Sequence, residues 1–430
     1  MFDRIAAALL LLAMPGVSVA QEQRATEGQT LLETRLREAV AVLQASTPAE
    51  DVFAPAFLAA VPEAQLHAMN TQMAAQFGSL LGIESVEPVG PGIARIKLRF
   101  ERAIASGGMQ LEAGEPFRII GLRLSEFAPL EANAEELLGE LRALPGVASA
   151  LFVPLAGGAP LLAHEAERPL AIGSTFKLYV LAALAQAVAS GEHRWDEVVA
   201  LDQRSLPSGL LQDWPRGAPL TLHTLAVLMI AQSDNTATDQ LIAVLGREAV
   251  EAELVAAGHA APERNRPFLT TREFFLLKAA EPAEAAGYAA ADAAGRRATL
   301  TGLGGQAPDL AATEAALAAG PRALEVEWFA SAQDIARLFG RIAALEDETA
   351  LAVLGVSPAL PQGLRSAWDY VGYKGGSEPG VLNLSWLLRD RAGAWHVLTL
   401  GWNDPAAPLD RLRLELMAQR VLALAGSGAE

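Results

Sequence analysis

Cysteine is absent from this 430-residue chain, and lysine nearly so: 29 of the 33 basic residues are arginine, leaving Lys97, Lys177, Lys278 and Lys374. Without cysteine there can be no disulfide framework, thiolate-bound zinc, iron–sulfur cluster or thiol nucleophile. Histidine is sparse as well. The six (His67, His164, His193, His223, His259 and His396) are scattered without H-E-x-x-H spacing, so neither a metal centre nor a cofactor is expected. Positive charge is in deficit, with 33 basic against 50 acidic residues and a formal net charge of −17. That balance argues against a nucleic-acid partner, which would need basic patches to displace phosphate counterions. The apolar stretch Ile5–Met14 falls short of the ~20 residues that span a bilayer. It follows Arg4 and precedes the small residues Ser18-Val19-Ala20, the layout of an export signal. A cleaved signal over residues 1–20 is therefore expected, and with it a periplasmic or secreted protein that keeps no membrane span.

Residues 21–30 are polar and are expected to form a disordered lead-in. From there to residue 130 the pattern is helical, then β. Leu31, Leu32, Leu36, Val40 and Leu43 recur at helical spacing, and Pro62–Phe77 reads as a second helix. Ala94, Ile96, Leu98 and Phe100 alternate with Arg95, Lys97 and Arg99, as in a half-buried strand. Ser106-Gly107-Gly108 reads as a turn, and Phe117–Leu124 as a further strand. These elements make a small α+β domain over 31–130, helices first and an antiparallel sheet after. A charged helix, Glu131–Leu144, closed by Pro145-Gly146, is read as a connector over 131–146. Residues 147–430 open with strands, continue through alanine-rich helices, and end with two strands (Val381–Arg389, Trp395–Trp402) and an amphipathic helix. Strands at both ends of a helical segment imply one sheet flanked by helices.

Chemistry concentrates at three places. Ser174-Thr175-Phe176-Lys177 begins an apolar helix, and residues three apart share a face, so a lysine can meet a serine at the end where free N–H groups gather. A serine hydroxyl needs a base, and a neutral lysine serves where burial or nearby charge lowers its pKa. In a chain that uses arginine for nearly every cation, a surviving lysine is the better candidate for a group that must lose its proton. Taken singly, the same residues read equally as a helix cap followed by an ordinary lysine. Ser233-Asp234-Asn235 lies between two apolar helices, where it could present a hydroxyl and an amide to a cleft or could merely cap the second helix. Lys374-Gly375-Gly376-Ser377 precedes the last strands, either as exposed backbone beside a cation or as a glycine-rich turn.

Taken together and in this order, the three motifs resemble those of the serine β-lactamase and penicillin-binding protein family. The separation of 59 residues from Ser174 to Ser233 fits the class A enzymes, and that of 141 from Ser233 to Lys374 is long for them. The resemblance covers about Val147–Glu430. It implies a transpeptidase-like domain, a sheet flanked by helices with an all-helical subdomain, and a role for each matching residue. Ser174 would be the acylated nucleophile and Lys177 its base. Ser233 would pass a proton to the departing nitrogen and Asn235 would contact the substrate. Lys374 would support Ser233 and a substrate carboxylate, with Gly376 and Ser377 lining the subsite. Backbone N–H groups of Ser174 and Ser377 would form the oxyanion hole.

The pattern also departs from that family. Gly375 stands where a hydroxyl residue is usual. Class A enzymes place a deacylating glutamate in an E-x-x-L-N loop, and Glu273-Phe274-Phe275-Leu276-Leu277 matches it except at Leu277. Thr270-Thr271-Arg272-Glu273 reads equally well as a helix capping box. Residues 280–325 account for the long spacing and are either a lid or a surface insertion. Trp214 and Tyr373 are further candidates for lining the site, with burial as the competing reading. The two-domain layout is similar to that of the β-lactamase-like protein of clavulanic acid biosynthesis, whose first domain is of the steroid-isomerase type. The expectation is a serine hydrolase acting on β-lactams. The alternatives are an esterase or D,D-peptidase on ester or peptidoglycan stem-peptide substrates, or an inactive sensor of β-lactam or peptidoglycan.

Overall fold

The computed structural model describes residues 16–130 and 133–427. Most of the expected signal segment, residues 1–15, lies outside them. The chain divides into two compact units, Met1–Leu130 and Glu131–Glu430. Among the described residues no helix is long and apolar enough to cross a membrane.

The first unit is built from helices α1 (Gly16–Leu43), α2 (Pro55–Ala60) and α3 (Glu63–Phe77), then strands β1 (Leu80–Gly90), β2 (Ile93–Phe100), β3 (Ala103–Leu111) and β4 (Ile119–Pro129). Helix α1 runs through residues 21–30, so these are helical and not a disordered lead-in. They contain no proline and a single glycine, Gly28, among good helix formers. The strands form an antiparallel meander in the order β1-β2-β3-β4. Ala94, Ile96, Leu98 and Phe100 of β2 are buried, as their alternation predicts. Ser106-Gly107-Gly108 is not a turn but the middle of β3, where Lys97 pairs with Ser106. A Cβ at Gly107 would lie 1.8 Å from the Arg123 carbonyl oxygen, so the glycine there answers close strand approach at a register shift.

In chain order, the second unit contains α4 (Ala134–Arg142), β5 (Val147–Pro154), β6 (Leu162–His164), β7 (Leu170–Ala171), α5 (Lys177–Ala189), β8 (Val198–Ala200) and β9 (Pro219–Thr221). Helices α6 (Leu222–Ala231), α7 (Asn235–Leu245), α8 (Arg247–Ala256), α9 (Thr271–Ala279), α10 (Pro282–Ala290), α11 (Ala293–Leu303) and α12 (Leu310–Ala318) follow. The chain ends with β10 (Phe329–Ala330), α13 (Ala332–Ala344), α14 (Glu348–Gly355), α15 (Gln362–Arg365), β11 (Tyr370–Glu378), β12 (Val381–Arg389), β13 (Trp395–Asn403) and α16 (Arg411–Ser427). The main sheet has the order β11-β12-β13-β5-β6, so the opening strands join the closing ones. One face packs Phe152, Trp386, Leu398 and Leu400 against Leu137 and Leu141 of α4 and Leu414, Met417 and Val421 of α16. Helix α4 is therefore part of this unit's core and not a connector. Its apolar residues at i and i+4 form a stripe that the sheet buries, and Glu140 holds Arg420 of α16 at 2.8 Å. The other face carries α5 and α13. Leu178 to Ala185 of α5 are buried without a break, so this helix is apolar all round.

Candidate active site

Ser174 sits in a tight 3-10 turn, Gly173–Phe176, that leads into α5. The turn is fastened on several sides. The Thr175 hydroxyl donates to Asn383 Oδ1 of β12 at 2.9 Å, and the Phe176 ring stacks on Trp328 at 3.7 Å. Gly173 has φ +49°, and Ile172 N–H donates to the Trp328 carbonyl. One turn on, Lys177 is fully buried and donates to the Ser233 carbonyl (2.6 Å), Ser233 Oγ (3.1 Å) and Asn235 Oδ1 (2.7 Å). None of these partners is a carboxylate. Burial, reinforced by the neighbouring Lys374 cation, pushes Lys177 well below the usual lysine range, against the pull of Asp239 and Asp234.

The loop between α6 and α7 serves both readings of its sequence at once. Asp234 caps α7 by accepting from Ala237 N–H at 2.8 Å, and its other oxygen accepts from Leu210 and Leu211 N–H. That leaves Ser233 at φ +56°, a left-handed conformation costly for a serine, with its hydroxyl turned toward both lysines. Lys374 Nζ, on the edge strand β11, reaches Ser233 Oγ at 3.1 Å and the Gly375 carbonyl at 2.5 Å. Burial, and then the Arg411 cation, bring Lys374 down to about 7. Asn235 lines the cleft, but Lys177 occupies its Oδ1 and its amide nitrogen donates to the Leu206 carbonyl at 3.1 Å. Its first task is thus to position Lys177.

The glycines of β11 answer to contacts. A Cβ on Gly376 would stand 2.1 Å from the Ile172 oxygen and 2.5 Å from the Ser174 nitrogen. A Cβ on Gly173 would stand 3.0 Å from the Ser377 nitrogen. Only bare backbone lets the Ser174 and Ser377 amides approach one another this closely. A Cβ on Gly375 would lie 2.2 Å from Tyr373 Oη, so Tyr373 fills the space that a side chain at 375 would take. Tyr373 lines the cleft, packs against Trp386, and burial pushes its hydroxyl up to about 12.

These residues surround a cleft of about 590 Å³. Ser174, Ser233, Asn235, Lys374, Gly376 and Ser377 line it, opposite an apolar wall of Phe274, Phe275 and Trp328. Leu317 of α12 completes that wall, so the 280–325 segment contributes to the site. Lys177 is buried and reaches the lining only through Ser233 and Asn235, and two further expected residues stand apart from the site. Glu273 is outside the lining: its carboxylate accepts from Thr270 N–H at 2.8 Å in a capping box and binds Arg247 at 2.7 Å. Local capping chemistry and the Arg247 ion pair engage this side chain away from the cleft. Trp214 is also outside, 42% exposed, because Pro215 and Arg216 carry the chain past it on the surface.

Glu327, Glu378 and Arg411 also line the cleft and were missed in the sequence. The unexplained Lys278 is fully buried, with its Nζ 2.6 Å from Glu378 Oε1. Lysine scarcity was the one available pointer to this group. Among the described residues no cluster of three or more potential ligands is placed to hold a metal ion.

The model of the family described as the β-lactamase enzyme family matches residues 130–356, more than half of the chain. The match ends ahead of Lys374. No curated protein matches. Among solved structures, the chain is similar to a β-lactamase from Sphaerobacter thermophilus (22% identity, 69% of this chain and 96% of that one, TM-score 0.48). It is similar also to a β-lactamase from Francisella tularensis (12%, 69% and 99%, TM-score 0.49). A third similar structure, PBP-A, shares 18% identity over 70% of this chain and 99% of that one, with TM-score 0.47.

Proposed function

The chain belongs to the β-lactamase enzyme family, and on that premise we propose that it is an exported serine hydrolase that forms an acyl-enzyme on Ser174, with β-lactams as its leading substrate class. The observation that carries this reading is the Ser233 hydroxyl held 3.1 Å from each of two buried lysine nitrogens. Such a bridge suits proton traffic between a base and a leaving group. In the proposed reaction, Ser174 Oγ attacks the acyl carbon while neutral Lys177 takes its proton. The carbon–nitrogen bond then breaks as Ser233 gives its proton to the departing nitrogen and regains one from Lys177. Lys374, as a cation, holds Ser233 and a substrate carboxylate. The Ser174 and Ser377 amides would take up the charge on the acyl oxygen, a contribution of roughly 10²–10³ in rate per donor.

A second reading, a penicillin-binding or D,D-peptidase role with a long-lived acyl-enzyme, is favoured by the engagement of Glu273 outside the cleft. For the first unit, helices followed by a four-stranded antiparallel sheet support a steroid-isomerase-like binding module. The deciding experiment follows a chromogenic cephalosporin by colour and by intact mass. Turnover supports hydrolysis. A lasting adduct that Ser174→Ala abolishes supports the second reading, and an unmodified protein that also leaves ester substrates intact overturns both.

A further inference from the structure

Beside Ser377, the cleft ends in a pair of carboxyl groups that the acylation chemistry does not use. Glu327 is 4% exposed and the Glu378 side chain 9%, yet both line the cleft. Each has one oxygen engaged. Glu327 Oε2 accepts from Trp328 N–H at 2.9 Å, and Glu378 Oε1 accepts from Lys278 at 2.6 Å. No donor from another residue reaches Glu327 Oε1 or Glu378 Oε2. Lys278 cannot serve them, because its other two hydrogens go to the carbonyls of Arg322 (2.9 Å) and Ala323 (3.0 Å). Both free oxygens are buried without a partner of their own, and burial together with the Glu378 carboxylate raises Glu327 well above the usual glutamate range.

Resting on the reading of Ser174 as an acylated nucleophile, we propose that Glu327 and Glu378 form a subsite for a protonated amine on the substrate, whose N–H groups bond to the two unpartnered carboxyl oxygens. The layout of the cleft supplies the complement. Lys374 and Arg411 give one part of it positive charge, and the carboxyl pair makes another part acidic. Lys374 and Glu378 are four residues apart on one strand, a span of roughly 13 Å. A substrate carrying an anionic group at one end and an ammonium on its acyl chain at the other would satisfy both parts. A buried carboxyl pair selects such a cation because an apolar chain end would leave the acidic oxygens desolvated and unpaired.

The test uses two penicillins of equal acyl length, one made with 6-aminohexanoate and one with heptanoate. Binding is read by calorimetry on the Ser174→Ala protein, and acylation by intact mass on the unaltered chain. The ammonium probe should bind at least about tenfold tighter, the factor expected of a charge-assisted hydrogen bond. Glu327→Gln should bring the two probes to near parity without weakening the heptanoyl probe. Its amide keeps the size of the carboxyl group but carries no charge to hold an ammonium. Retained thermal unfolding confirms that fold, and Glu378→Gln offers a second route to the same loss. Parity in the starting protein, no binding of the ammonium probe, or a preference that survives Glu327→Gln overturns the subsite. Acylation of Ser174 by both probes with no amine preference sinks the subsite and spares the hydrolase reading. Amine preference in binding with no acylation does the reverse.

Discussion

Lys177 and Lys278 are both buried completely, and their surroundings make them opposites. Lys278 lies against Glu378 at 2.6 Å, with two carbonyls taking its remaining hydrogens. Lys177 is given only a hydroxyl, an amide oxygen and a carbonyl, with a second lysine sharing Ser233. A buried lysine bonded to a carboxyl group and two carbonyls fastens chain segments together. One surrounded by neutral dipoles and a like charge is driven to release its proton. Identical side chains, equally hidden, thus become a fastener in one place and, in the proposed reaction, a base in the other.

The largest break of this contrast is Lys177→Arg, which retains a cation that cannot be deprotonated. Acylation of Ser174, followed by intact mass, should fall by at least ~10³ while the protein remains folded. Lys278→Met reverses the pattern. It strands buried carboxyl charge and should cost about 3–5 kcal/mol in urea unfolding, with acylation per folded molecule within about threefold of the starting protein. Lys374 sharpens the comparison through pH. Its cation is present below about 7 and is lost as pH rises through that value. If the cation is the working form, the second-order acylation rate should fall roughly tenfold per unit above pH 7. Lys374→Arg should remove that descending limb, and a limb unchanged in the variant would assign it elsewhere. The smallest effect is expected from Glu273→Gln. Its amide oxygen can still accept from Thr270 N–H, so loss of the Arg247 ion pair alone should cost at most ~1 kcal/mol of stability, with the acyl-enzyme lifetime unchanged.

The legibility of the molecule follows the same division. Ser174 and Lys177 share one helical turn, and Ser233 with Asn235 brackets a helix start, so short spacings already put each pair in one neighbourhood. Asp234 was ambiguous between cap and catalytic loop because both uses favour a short polar side chain, and the fold employs it as the cap. Glu273 misled because a capping box and the family's glutamate motif place the same residue before the same apolar run. The glycines of β3 looked like a turn because sequence cannot distinguish a chain reversal from a strand that passes too close for a Cβ. The cluster of Lys278, Glu327 and Glu378 was illegible for another reason. Its ends lie 100 residues apart, and only tertiary packing joins them.

The order of strands in the main sheet bears on when this site comes into being. β5 opens the second unit, yet its neighbour is β13, with Phe152 paired to Leu398. Lys374 arrives on β11, which joins the same sheet only through β12 and β13. A nascent chain that has emerged only as far as the helices therefore possesses Ser174, Lys177 and Ser233 but lacks the strands that place Lys374 and the Ser377 amide. Sequence-distant pairing of this kind slows folding, since long loops must close before the contacts form. Assembly of the proposed site is thereby tied to the arrival of the closing strands.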